Sequence, residues 1–237
     1  MVLILKMGST LPSLRERRGD FEDWIARGAS LQPAEFHVID VPSVPALPPL
    51  DGAAGVIVSG SHAMVTERRD WSERTAPWLR AAVSRGVPVL GICYGHQLLA
   101  HAHGGEIGNN PKGREFGTVQ VELDQAGRAD ELLGQLPGAF PAHEGHTQSV
   151  LRLPHEAVRL ASNAWDGNQA FRIGARAWGV QFHPEFDAGI VREYVRHYRA
   201  DLSAEGQDPD ALERTAADNP LGGVILRRFV RLCRREG

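Results

Sequence analysis

The chain has 237 residues, is 42% hydrophobic and 23% charged, and carries a net charge of −3 at neutral pH. That composition fits a globular protein with a sizeable core, and the slight acidity argues against nucleic acid or another polyanion as a partner. With only two cysteines, Cys93 and Cys233, there is no disulfide framework and no cysteine-based metal spacing, which suits a reducing compartment.

Val2-Leu3-Ile4-Leu5 reads as a buried strand. Residues 1–7 lack a cationic lead, a long apolar region and a small-residue cleavage site, and no apolar run is long enough to span a bilayer, so a cytoplasmic location and no membrane partner are expected. The spacing of Phe21, Trp24 and Ile25 predicts one helix over 14–29, followed by a second strand over 36–41. Pro42, Pro45, Pro48 and Pro49 mark an extended connector before a third strand at 55–59. A helix over 76–85, a fourth strand over 87–93 and a helix over 96–103 complete the first half. Fully apolar strands alternating with helices predict an α/β fold, with a mainly parallel sheet covered by helices on both faces.

Beyond Gly104-Gly105 the texture changes. Short strand candidates at 118–123, 140–143, 149–153, 159–162, 169–173 and 177–182 look antiparallel, extending or flanking the parallel sheet into a mixed one. A helix is predicted over 190–202, and two more over 208–235, broken near Asn219-Pro220 and Gly222-Gly223. Leu221, Val224, Ile225, Leu226, Phe229 and Leu232 supply enough apolar surface that the tail must bury it. The expected organisation is therefore a domain over 1–202 with a helical C-terminal extension over 203–237 packed on it. Two arginine clusters, Arg15, Arg17 and Arg18, and Arg227, Arg228, Arg231, Arg234 and Arg235, read as solvated helix faces.

The chemistry concentrates at Gly91-Ile92-Cys93-Tyr94-Gly95-His96-Gln97. A cysteine ending a strand is ordinarily a small core residue. Here glycines lie two residues to either side and a helix follows at once, the layout of a nucleophile elbow. The helix N-terminus beneath the sulfur favours a thiolate. Far downstream, Gln181-Phe182-His183-Pro184-Glu185 ends a strand; residues two apart share a face, which can bring Glu185 alongside His183. A carboxylate on one ring nitrogen leaves the other to take the thiol proton. Cys233 has no such setting and is expected to pack on a helix face.

Together these motifs resemble the class I glutamine amidotransferases, a family with a Cys-His-Glu triad. The resemblance runs from about Leu3 to Tyr198 and is nearest to the amidotransferase part of GMP synthase. It implies a flavodoxin-like three-layer fold and a γ-glutamyl thioester on Cys93, with His183 and Glu185 completing the triad. It also implies an oxyanion hole from the backbone N–H of Tyr94 and one from the Gly60 turn. That turn departs from the family: Ser59-Gly60-Ser61-His62 stands where Ser-Gly-Gly-Pro is usual. Gln97 matches the glutamine that binds the substrate's amino-acid end, and in Arg114-Glu115-Phe116-Gly117 the backbone near Phe116 and Gly117 would face the substrate.

His143, Glu144 and His146 invite a metal reading, but no further ligand is spaced to complete a site. They are expected to be structural, with no metal and no cofactor. His62, His96, His101 and His103 carry no catalytic signal of their own. The polar loop 61–75, with Trp71, reads as a lid, a docking surface or a plain connection. No phosphate-cradling glycine pattern is present that would activate an acceptor.

Three functions compete. The first is glutamine hydrolysis that feeds ammonia to a synthase partner protein. The second is hydrolysis of γ-glutamyl peptides or conjugates by the same triad. The third is a non-catalytic binding protein on this fold, against which the intact Cys93, His183 and Glu185 argue. Oligomeric state stays open, a homo-oligomer included.

Overall fold

The computed structural model describes residues 1–234; Arg235, grouped above with the C-terminal arginines, lies outside them. Four strands, β1 (Val2–Lys6), β2 (Phe36–Asp40), β3 (Gly55–Val58) and β4 (Val89–Ile92), are interleaved with α1 (Pro12–Arg18), α2 (Phe21–Ala29), α3 (Asp70–Ser84) and α4 (Tyr94–Ala102). Then come β5 (Glu106–Asn109), β6 (Glu115–Leu123), α5 (Gln125–Arg128), β7 (Ala139–His146), β8 (Gln148–Arg152), β9 (Ala157–Ser162), β10 (Ala170–Ile173) and β11 (Ala177–Val180). Helices α6 (Ala188–His197), α7 (Arg199–Ala204), α8 (Pro209–Thr215) and α9 (Pro220–Cys233) close the described chain.

Nine strands form one sheet in the order β2-β1-β3-β4-β11-β10-β9-β6-β7, and β5 pairs with β8 separately. The run from β2 to β11 is parallel, and the strands from β10 to β7 join antiparallel. Alternation along each strand sends its side chains into two cores. Ile4, Ile57, Leu90, Ile92, Trp178 and Val180 face a layer containing α2 and α9, whereas Leu5, Val56, Val58 and Val89 face α3 and α4. A third cluster joins α1, α2 and α6 through Leu14, Phe21, Trp24, Ile190 and Val195. The sandwich of helix, sheet and helix is the expected three-layer α/β fold. Among the described residues no helix is long and apolar enough to cross a membrane.

Several predicted boundaries move for physical reasons. The helix expected over 14–29 is two helices, because Gly19 adopts φ 85° and Asp20 then caps α2 in a capping box with Asp23. The helix expected from residue 76 begins at Asp70, so the supposed loop 61–75 holds a short 3₁₀ turn and the first turn and a half of α3. The 190–202 helix is divided at Tyr198 into α6 and α7, with Leu202 inside α7. Strand β5, short and without a buried residue, is not marked by the sequence pattern. In the tail, Asn219 caps α9 and Pro220 opens it, as the break at that dipeptide suggests. Gly222-Gly223 is not a break, for both glycines lie inside α9.

Helix α9 is part of the main core: Ile225, Leu226, Phe229, Val230 and Leu232 are buried in the cluster containing α2 and the sheet. Most of the described arginines expected on solvated faces are exposed, and several of them also tie segments of the fold together. Arg18 pairs with Asp187 at 2.5 Å and Arg17 with Glu193 at 2.8 Å, tying α1 to α6. Arg228 bonds the Glu131 carbonyl, and Arg234 pairs with Glu35 at 2.6 Å.

Candidate active site

Strands β4 and β11 are parallel neighbours in register, with Gly91 opposite Gly179 and Ile92 opposite Val180. Their C-terminal ends therefore release Cys93 and the 181–185 segment side by side, where open α/β sheets place their ligands. The Cys93 N–H donates to the Val180 carbonyl at 2.9 Å and clamps the two ends together. Cys93 itself is the N-cap of α4, at φ 50° and ψ −100°. A non-glycine residue held there is strained, on the order of 1–3 kcal/mol, and surrounding structure must enforce it. The glycines make that possible. A methyl group on Gly91 would collide with the backbone of Gly95, and one on Gly95 with the Val58 carbonyl oxygen.

His183 follows the last strand residue by three positions, and its N–H bonds the His143 carbonyl at 2.8 Å. Its Nδ1 lies 2.8 Å from Glu185 Oε1, and its ring stacks on Phe186 with centroids 3.9 Å apart. Burial opposes charge on this ring, but the Glu185 carboxylate and the Cys93 sulfur outweigh it and raise the imidazole to about 10. His143, on β7, behaves oppositely: burial, followed by the charge on His183, lowers it to about 4. Cys93 and His183 open together into a cleft of about 210 Å3, also lined by Ser61, His62, Gln97, Phe116, Tyr194 and Tyr198.

Residues 19–196 match the family model for glutamine amidotransferase class-I. The chain belongs to the class I glutamine amidotransferase family. It is 38% identical over 168 residues to a glutamine-hydrolyzing GMP synthase of Aeropyrum pernix, covering 70% of this chain and 31% of that protein, so it spans about a third of that relative's length. It is 36% identical to one subunit of the glutamine-hydrolyzing GMP synthase of Ignicoccus hospitalis, covering 79% of this chain and 81% of that one. With gamma-glutamyl peptidase 3 of Arabidopsis thaliana it shares 31% identity over 68% of this chain and 65% of the relative. The crystal structure of a glutamine amidotransferase from Thermotoga maritima superposes with a TM-score of 0.77 over 98% of both chains, at 23% identity, which speaks for the fold.

The residues matched to the amidotransferase motifs fall partly in the cleft and partly outside it. Gln97 is buried on α4; its Nε2 donates to the Gln148 carbonyl at 2.7 Å and to Gln181 Oε1 at 3.0 Å, holding it in the cleft wall. Tyr94 begins α4 under the elbow, with its hydroxyl on Ser72 Oγ at 2.7 Å. Gly60 lies against His183, where a Cβ would come within 2.9 Å of the ring, while the next residue, Ser61, lines the cleft. Phe116 lines the cleft, whereas Gly117 does not; at φ 101° it packs beneath Leu212 of α8. His143 bonds Thr118 Oγ1 through Nδ1 and lies outside the cleft. His96 is fully buried against Phe171, and burial lowers its ring to about 4.

Sequence reasoning missed two parts of the cleft. His62 bonds the hydroxyls of Tyr194 and Tyr198, each at 3.1 Å, closing one wall with side chains of and beside α6. At the mouth, Arg114 lies over the Tyr198 ring, 2.8 Å from Glu205 and 3.6 Å from Asp201. The signal for these was weak, since α6 and α7 are distant in sequence and carry ordinary helix composition.

Proposed function

We propose that this chain hydrolyses a γ-glutamyl amide through a Cys93 thioester, with glutamine as the substrate and a synthase as the receiver of the ammonia. The observation that carries the reading is the strained Cys93 at the α4 N-terminus, sharing a cleft with a His183 whose Nδ1 is held by Glu185. In this reading the Cys93 sulfur attacks the amide carbon, and the carbonyl oxygen takes up charge toward the Tyr94 N–H and the Gly60–Ser61 turn. His183 gives its proton to the departing nitrogen, and ammonia leaves. It then takes a proton from the attacking water, and the thioester opens to glutamate and free thiol. Family membership and the GMP synthase relatives support glutamine hydrolysis in general, and the Ignicoccus relative, itself one subunit of its synthase, supports a separate synthase partner.

The mouth of the cleft suits an amino-acid end. Arg114 can meet an α-carboxylate and Asp201 an α-ammonium group, with Gln97 deeper in the wall. A γ-glutamyl peptide presents the same end, and the likeness to the Arabidopsis peptidase favours that second reading. One set of measurements separates them. A glutamine-mimicking electrophile should add to Cys93 by mass spectrometry, and glutamine should release ammonia. Cleavage of γ-glutamyl dipeptides with inert glutamine would select the peptidase reading. Substrates masked at the α-amine or α-carboxylate should show raised KM, and unchanged KM would remove Arg114 and Asp201 from recognition. An intact protein that neither labels nor turns over any of these would sink the proposal.

A further inference from the structure

Behind the cleft wall, β6 and β7 bring three metal-ligating side chains to one face of the sheet. Their register sets Glu115 opposite His146 and Gly117 opposite Glu144. Glu144 and His146 are two apart on β7 and so share a face, and Gly117 leaves the place across from Glu144 free of a side chain. This parity also explains why His143 takes no part. We propose that Glu115, Glu144 and His146 form a buried site for one divalent first-row cation of the Zn2+ type, clipping β6 to β7 beneath the catalytic cleft.

The ligand atoms of the three residues all lie within 4.8 Å of one another. His146 Nε2 is 3.2 Å from Glu115 Oε2 and 3.4 Å from Glu144 Oε2. A tetrahedral ion about 2.0–2.1 Å from each donor would hold donors roughly 3.3 Å apart, so the two edges that meet at His146 already have the required length. The supporting contacts suit ligation. His146 Nδ1 lies 2.9 Å from the Gln148 carbonyl, which fixes the proton there and leaves the Nε2 lone pair toward the carboxylates. Glu115 is oriented by Asn163 Nδ2 at 2.6 Å and Gln169 Nε2 at 2.9 Å.

The second observation concerns what the cluster lacks. The Glu144 side chain is fully buried, and no donor meets either of its oxygens with full hydrogen-bond geometry, Gln169 being the side chain that approaches it. Gln169, which holds Glu115, carries an unpartnered Oε1 in the same fully buried place. Among the described residues no lysine or arginine pairs with Glu115 or Glu144. Two buried carboxylates without a cation are costly, and one divalent ion with a neutral imidazole balances them. Two carboxylates and one imidazole form a donor set suited to such ions. His146 and its neighbours Gly145, Thr147 and Gln148 line the cleft, which provides a route of entry.

The test uses the full chain carrying Cys93→Ala, which removes the cleft thiol as a rival ligand, alongside the parent. Each is loaded with Zn2+, desalted and analysed for metal. We expect one equivalent retained per chain and a Tm above that of chelator-treated protein. Glu144→Gln and Glu115→Gln should bind at least about tenfold more weakly, and Asn163→Ala about tenfold, because it loosens Glu115. No retained ion at tenfold excess, with an unmoved Tm, would overturn the site in favour of a protonated, neutral Glu144, and that outcome needs no variant at the cluster to fold. Retention in a folded Glu144→Gln protein equal to the parent would overturn it too, by locating the ion elsewhere.

Discussion

Cys93 and Cys233 are both buried, and the regions around them put the same side chain to different use. Cys93 ends a strand at positive φ, beneath a helix N-terminus and beside an imidazole raised to about 10. Cys233 ends α9 against Gly55, where a methyl group on that glycine would strike its sulfur, and burial raises its thiol to about 12. One site holds its sulfur in the cleft at a cost in backbone strain, as the proposed nucleophile requires; the other fills space. Burial alone therefore says little about reactivity, which depends on backbone geometry and the charge placed opposite.

The comparison breaks most visibly at the cysteines themselves. Cys93→Ala should abolish γ-glutamyl turnover with the fold retained, whereas Cys233→Ala should leave turnover intact and lower stability by about 1 kcal/mol. Steady-state assays with denaturant titrations check both, and a working Cys93→Ala enzyme would end the nucleophile assignment. His183→Ala should slow the chemical step by about 10³-fold or more, and Glu185→Gln by about 10²–10⁴, since it leaves a base that is wrongly oriented. Single-turnover thioester formation is the measurement, and an unimpaired Glu185→Gln would remove the carboxylate from the triad.

The two regions are also joined. Gly222 of α9 packs against the Pro184 carbonyl, between His183 and Glu185, so closely that a methyl group there would collide with it. Gly222→Ala should cost about 1–3 kcal/mol and lower kcat by disturbing the His183–Glu185 pair. A stability loss with kcat unchanged would show that α9 supports the fold without tuning the site. A further test of the same region concerns pH. A ring raised from 6.5 to about 10 adds stability that is complete below about pH 6.5 and is lost as pH rises through 10. Unfolding titrations across that window should show the parent losing stability and His183→Ala free of this component; identical slopes would mean that His183 is not charged in the folded protein.

Much of this was legible in residue order. Gly91, Cys93 and Gly95 show the elbow because its tight backbone excludes side chains at fixed offsets. The spacing of His183 and Glu185 likewise foretells a shared face. Helix ends were harder to read. The break at Gly19–Asp20 is bridged in the pattern by Leu14 and Phe21, which are seven apart and so fit one helical face, and Gly222-Gly223 reads as punctuation when its purpose is close approach to another segment. Arg114 and Glu115 stand in a motif, and Glu144 and His146 are close enough in sequence to invite a metal reading, but the meeting of Arg114 with Asp201 and of Glu115 with Glu144 and His146 had no local signature.

By itself, then, the sequence determined the alternation of strands and helices, the elbow and the His183–Glu185 spacing, because each is set by short-range backbone sterics and by the period of burial. Only the tertiary structure decided that β4 lies beside β11, that α9 seals the core against the Pro184 loop, and that Glu115 faces Glu144 and His146. Those are matters of strand order, register and long-range packing, in which residues far apart in the chain meet through side-chain fit that no local pattern encodes.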